Sequence, residues 1–122
     1  MSKLFLTLLH SVLNSCDHAC KGDECHSIKI VGRGKNLDFL YETGMVVPDV
    51  CDILKSLKDT DYLKGPEPDH LNNNDQIYVY KKCFEGVEIY IKLKYKVFSN
   101  LAKEDQEKII IISFHESTPI ED

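Results

Sequence analysis

Glu88-Ile89-Tyr90-Ile91-Lys92-Leu93 and Ile111-Ile112-Ser113-Phe114-His115-Glu116 are the segments that decide how this chain folds. Alternation puts Tyr90 and Lys92 on one face of the first, and Ser113 and His115 on one face of the second. The intervening Ile89, Ile91, Ile112 and Phe114 take the opposite faces, as a half-buried sheet requires. The pair therefore predicts antiparallel strands with a covered apolar side and a polar side that shows Tyr, Lys and His together. A proton donor, a proton acceptor and a cation within reach of one another suit cleavage of a phosphodiester. They also suit binding.

Working outward, Ile77–Lys82 reads as a third strand, and Glu85-Gly86 closes the hairpin to the strand Glu88–Val97. Ser99 to Glu107 reads as a long polar connection to the last strand, Lys108–Glu116. Upstream the apolar period changes from two to that of a helix. Leu4, Phe5, Leu8, Leu9, Val12 and Leu13 share one helical face. Ser27 to Val31 alternates weakly as a short strand, and Gly32-Arg33-Gly34 turns the chain. Lys35 to Glu42 forms a short helix with Leu37, Leu40 and Tyr41 inward and Gly44 as its C-terminal stop. Pro48 opens another helix, in which Val50, Ile53, Leu54 and Leu57 follow the i, i+3, i+4, i+7 rule. Asp59-Thr60-Asp61 caps a further turn around Tyr62. Gly65, Pro66 and Pro68 end helical structure, and Leu71 to Asp75 reads as a loop. Helices first and strands later predict an α+β fold, with N-terminal helices packed on one face of an antiparallel sheet.

A chain of 122 residues, 43% of them hydrophobic, suits one domain and excludes a disordered protein. Within residues 1–122, residues 1–26 read as an amphipathic helix with a Cys/His-rich loop, 27–116 as the core, and 117–122 as a tail. The net charge of −5 excludes a uniformly basic surface. Lys81, Lys82, Lys92, Lys94 and Lys96 nevertheless outnumber Glu85 and Glu88 between Gln76 and Lys96, which leaves room for a local anion-binding face. The same lysines also serve to keep a strand face soluble.

Five cysteines are an odd number, which suits a reducing cytoplasm rather than a disulfide scaffold. Cys51 and Cys83 read as small core residues. Cys16, His18, Cys20, Cys25 and His26 lie close together, but their spacing lacks the paired C-x2-C knuckles of common zinc sites, so no metal is assigned. The N-terminal apolar run resembles a short signal peptide with a faint lipoprotein box at Leu13-Asn14-Ser15-Cys16. His10, Ser11 and Asn14 interrupt it, and a helix packed on the domain is the better reading. No run is long enough to span a membrane.

Lys35-Asn36-x-x-Phe39-Leu40, Ile53-Leu54-x-x-Leu57, Asp61-Tyr62-x-Lys64-Gly65-Pro66-Glu67-x-Asp69, Val79-Tyr80, Gly86, Glu88 to Leu93 and Ile112-Ser113-Phe114-His115 follow one another in an order that resembles the MqsR family of bacterial toxins. The resemblance covers roughly residues 30–116. It implies a RelE-like α+β fold and a cytoplasmic endoribonuclease that cuts single-stranded mRNA. It further implies that no metal or other cofactor is needed, and that a cognate antitoxin protein silences the activity. The family's catalytic positions match Lys64, Tyr90 and His115. The best-known member has lysine where this chain has His115. A glutamine of the family's site has Gln76 as its nearest counterpart.

The chemistry of these side chains fits that expectation. Attack of a ribose 2'-hydroxyl on the neighbouring phosphate needs a base, an acid and positive charge at the transition state. Acid–base help of this kind contributes about 10²–10⁴-fold, and oriented cations contribute comparably. Imidazole as a class titrates near neutrality, which fits His115 to proton transfer. Lys64 would stabilise the phosphate, and Tyr90 would donate a proton or orient it. Lys92, Arg33, Lys35 and Gln76 would extend the RNA groove, with Tyr78 and Tyr80 stacking on exposed bases. Plainer roles exist for each: a strand-end histidine, a helix-end lysine, packed aromatics. Glu67 and Asp69 read as turn caps or as orienters of Lys64. The rival functional reading is a non-enzymatic RNA- or protein-binding module on the same scaffold.

Overall fold

The computed structural model describes residues 2–14, 28–69, 72–100 and 103–117. The Cys16, His18, Cys20, Cys25 and His26 group lies outside them, as does the tail beyond Ser117. Three helices precede most of the sheet: α1 Ser2–Asn14, α2 Gly34–Thr43 and α3 Val47–Lys55. One sheet is built from β1 Ile28–Ile30, β2 Tyr62–Asp69, β3 Asn72–Phe84, β4 Val87–Asn100 and β5 Lys103–Glu116, in the order β1-β5-β4-β3-β2. β1 runs parallel to β5, and every other pairing is antiparallel. The fold is α+β, with the helices on one face.

That face is apolar because the alternation of the strands made it so. Tyr80, Ile89, Ile91, Leu93, Ile109, Ile111 and Phe114 are buried against the helices. α1 contributes Phe5, Leu6, Leu9, Val12 and Leu13, and α3 contributes Val50, Ile53 and Leu54, with Leu57 just beyond it. The amphipathic reading of α1 therefore holds, although Leu4 is exposed and Leu6 takes a core place. In α2 the inward residues are Phe39 and Asn36, while Leu37 and Tyr41 face solvent and Leu40 is half-buried. Gly44 ends this helix in the left-handed region (φ 74°), a conformation that other residues adopt at a cost. Pro48 sits in the first turn of α3, and the Asp49 carboxylate accepts a hydrogen bond from the Val46 backbone N–H at 2.9 Å. Cys51 is buried as expected, but Cys83 is exposed.

Three local expectations give way. Residues 62–69 form an edge strand despite Gly65, Pro66 and Pro68. Its register slips between Tyr62 and Lys64 and again between Lys64 and Glu67, and these irregularities accommodate residues that an inner strand would reject. Asn72 to Asp75 belong to β3 rather than a loop. The stretch read as a long connection is instead the two polar arms of the β4–β5 hairpin, which pair as far as Asn100 with Lys103. The short hairpin at Glu85-Gly86 is as predicted, with both residues at positive φ.

Two features add to the pairing of β2 with β3. The backbone of Gly65 lies so close to β3 that a Cβ there would stand 2.6 Å from the Ile77 carbonyl oxygen. At the far end, Lys94 Nζ reaches Asp69 at 2.6 Å and Asp75 at 2.9 Å, and Lys96 Nζ reaches Asp75 at 3.1 Å. The hydrogen bonds from Lys94 and then Lys96 hold the Asp75 carboxyl below its usual pKa. Burial works against the charge on Lys94, but its bonds to Asp69 and Asp75 prevail and raise its pKa. Asp69, read from sequence as a turn cap or an orienter of Lys64, is thus an ion-pair partner of Lys94.

Candidate functional site

The face opposite the helices carries the polar side chains in register. Lys64, Val79, Lys92 and Ser113 are successive partners across β2, β3, β4 and β5. Facing residues on neighbouring strands point the same way, so these four make one row across the sheet. Lys81, Tyr90 and His115 make the next. Val79 is fully buried and packs with Ile77 and Tyr90, giving the polar row an apolar floor. Ile112 joins that floor rather than the helix side. β5 carries an extra residue between the partners of Lys92 and Leu93, which turns Ile112 and Ser113 to the same side.

On its other side β5 loses its partner after Ile111, where β1 ends, and Asn36 takes over that edge. This residue is 0% exposed. Its Nδ2 donates to the Val31 carbonyl at 2.9 Å and to the Ile112 carbonyl at 3.0 Å, and its Oδ1 accepts from the Phe114 N–H at 2.9 Å. The side-chain amide thus pairs with β5 as the backbone of another strand would. It sets the start of α2 against β5 and brings Arg33 and Lys35 beside the sheet. Arg33 Nη1 donates to Ser113 Oγ at 3.4 Å.

The result is a cleft of about 660 Å³ lined by Arg33, Gly34, Lys35, Asn36, Lys64, Tyr90, Lys92, Ser113 and His115. Four of these side chains are cationic and none is acidic, on a chain whose net charge is −5. Tyr90 and His115 stack within it, ring centres 5.7 Å apart and planes inclined by 27°. Both are largely covered, at 5% and 7% exposure. His115 Nδ1 lies 3.0 Å from the Glu116 carbonyl oxygen. A carbonyl only accepts, so Nδ1 carries the hydrogen of that bond, and in a neutral ring with this tautomer Nε2 is the basic nitrogen.

Six of the residues singled out from sequence, Lys64, Tyr90, His115, Lys92, Arg33 and Lys35, meet in this cleft. Three do not. Tyr80 lies beneath the helices at 0% exposure, and burial raises its hydroxyl pKa. Tyr78 is half-buried on the same side and stacks on Phe5 at 3.9 Å between ring centres, so neither is placed to receive a base in the cleft. Gln76 is exposed, pairs with Pro68 near the far end of β2, and does not line the cleft. Sequence reasoning quoted Asn36 and Ser113 but gave neither a role. The available signal was an asparagine amid the apolar pattern of α2, where that residue is seldom buried without partners.

Among the described residues no group of three or more His, Cys, Asp or Glu side chains is arranged to hold a metal ion. Among them, too, no helix is long and apolar enough to cross a membrane. No protein-family model matches the chain, and no curated protein matches it at a significant level.

Proposed function

We propose that the protein is an endoribonuclease of the MqsR type. It would cut single-stranded mRNA by attack of a ribose 2'-hydroxyl on the adjacent phosphorus, leaving a 2',3'-cyclic phosphate and a 5'-hydroxyl. The observation that carries this reading is one cleft with four cations, a stacked Tyr90–His115 pair and no carboxylate. In it, His115 Nε2 takes the proton of the 2'-hydroxyl. Lys64, Lys92 and Arg33 surround the phosphorane-like transition state with positive charge. The Tyr90 hydroxyl supplies a proton to the departing 5'-oxygen. A divalent ion such as magnesium takes oxygen ligands, chiefly carboxylates, and this lining has no carboxylate. The reading therefore includes metal independence. It also includes a cytoplasmic setting and a cognate antitoxin, whose acidic residues would match the cationic cleft.

The deep burial of Tyr90 and His115 favours a second reading, a module that binds RNA on the same cations without cutting it. One experiment separates the two. Purified protein is incubated with a mixed single-stranded RNA in EDTA beside His115→Ala. Cutting by the wild type alone, with cyclic phosphate ends, supports the nuclease. Binding without cutting, by folded protein freed of any inhibitor, supports the module.

A further inference from the structure

The cationic cleft does not stop at His115. His115 and Lys35 also line a second cavity of about 500 Å³, which runs along the side of α2. Phe39, Thr43 and Val87 in turn line both this cavity and a third of about 730 Å³, set between α2, α3 and the Glu85-Gly86 hairpin. The surface is thus a continuous groove that follows α2, whose ten residues span about 15 Å.

Its character is opposite to that of the cleft. Asp38, Glu42 and Glu116 stand along the nearer part, and Asp49, Asp52 and Glu85 along the farther part. All six are exposed. Two lysines line the groove with them, Lys35 in the nearer part and Lys82 in the farther part. Lys82 is 3.5 Å from Asp61. The floor is apolar, formed by Phe39, Ile53, Val87 and Ile89. Six carboxylates against two lysines, above an apolar floor, repel a nucleic acid and fit a chain that carries lysine or arginine on one side and apolar residues on the other.

We infer that this groove docks a basic amphipathic helix of a partner protein, with its apolar side against Phe39, Val87 and Ile53 and its cations beside the six carboxylates. Two cavities placed end to end along a helix suit a segment of three or four turns better than one small molecule. Because His115 belongs to both groove and cleft, a docked helix would reach the edge of the cleft. Docking itself does not depend on the nuclease reading.

The test is selection from a library of random 16-residue peptides displayed on phage, against the folded full chain without RNA. Enriched peptides should carry Lys or Arg together with Leu, Ile or Phe at three- and four-residue spacing. Their affinity, read by fluorescence anisotropy, should fall at least tenfold for Asp52→Lys/Glu42→Lys, whose fold is checked by circular dichroism. Amide exchange in Phe39–Thr43 and at Val87 should slow in the complex. Enrichment of acidic peptides, of none, or of peptides that bind the charge-reversed protein equally well overturns the inference. Any of these results leaves the RNA-cleavage experiment untouched.

Discussion

Tyr90 and His115 are direct partners across β4 and β5, their rings stacked with centres 5.7 Å apart. Such a pair is held by the sheet rather than by a loop, so the imidazole has little freedom to wander. His115→Ala should therefore lower RNA cleavage in EDTA by about 10²-fold or more, the usual scale of acid–base help. Tyr90→Phe should keep the stack and the fold but lose the hydroxyl. Comparing cleavage rates with circular dichroism spectra separates lost chemistry from lost structure.

Lys92 sits between Val79 and Ser113 in the row that crosses the cleft. If it contacts a phosphate, Lys92→Ala should weaken binding of single-stranded RNA of every sequence. The slope of log affinity against log salt should fall by about 0.7, the share of one phosphate contact on a single strand. Tyr78→Ala should leave that slope alone and reduce thermal stability instead. Titrations at several salt concentrations check both.

Asn36→Ala removes one acceptor and two donors from a fully buried position. The Phe114 N–H and two carbonyls would lose their partner. A loss of about 2–4 kcal/mol in urea unfolding is expected. Asn36→Asp keeps the acceptor but turns a carboxylate toward two carbonyls, and should not rescue the protein.

Gly65 combines a φ of +118° with a close approach to the Ile77 carbonyl. Backbone on both sides of the contact leaves nothing flexible to give way. Gly65→Ala should cost about 1–3 kcal/mol and displace Lys64, the next residue along β2. RNA affinity and stability should fall together, measured by anisotropy and by urea unfolding.

Asp75 and Lys94 shift in opposite directions, and both shifts favour the charged forms. The depressed carboxyl adds stability above its ordinary value of 3.8, lost as pH falls through its lower folded value. The raised ammonium adds stability below its ordinary 10.5, lost as pH rises through its higher folded value. Lys94→Met should therefore differ most from the wild type between about pH 5 and pH 10. The gap should narrow in acid below 3.8 and in base above 10.5. Urea unfolding across that range checks the curve.

Periodicity made the helices and the inner strands legible because burial leaves a period of 3.6 or 2 in the residues that meet the core. Leu9, Leu13, Val50, Leu54, Ile91 and Phe114 were placed by nothing else. β2 was missed because Gly65, Pro66 and Pro68 signal a break, and only the pairing with β3 shows that an edge strand tolerates them. The polar hairpin arms carry no apolar alternation to read. Alternation within β4 and β5 joined Tyr90, Lys92 and His115 before any pairing was known. The same alternation joined Tyr78 and Tyr80 but could not say which side of the sheet they take. That depends on register with β4, where Tyr80 faces Ile91 and so lies under the helices. Asn36 escaped for a similar reason, since its three partners are divided between Val31 and a strand far along the chain.

The parallel pairing of β1 with β5 has a consequence for the time at which the cleft comes into being. Arg33 and Ser113, hydrogen-bonded across it, are 80 residues apart in sequence. α2 packs chiefly on β5, and contacts this distant form late. A polypeptide still on the ribosome, with β5 unsynthesised, holds Arg33, Lys64 and Tyr90 but no cleft. Whatever chemistry the site performs is withheld from the nascent chain, and begins only after translation has passed Glu116.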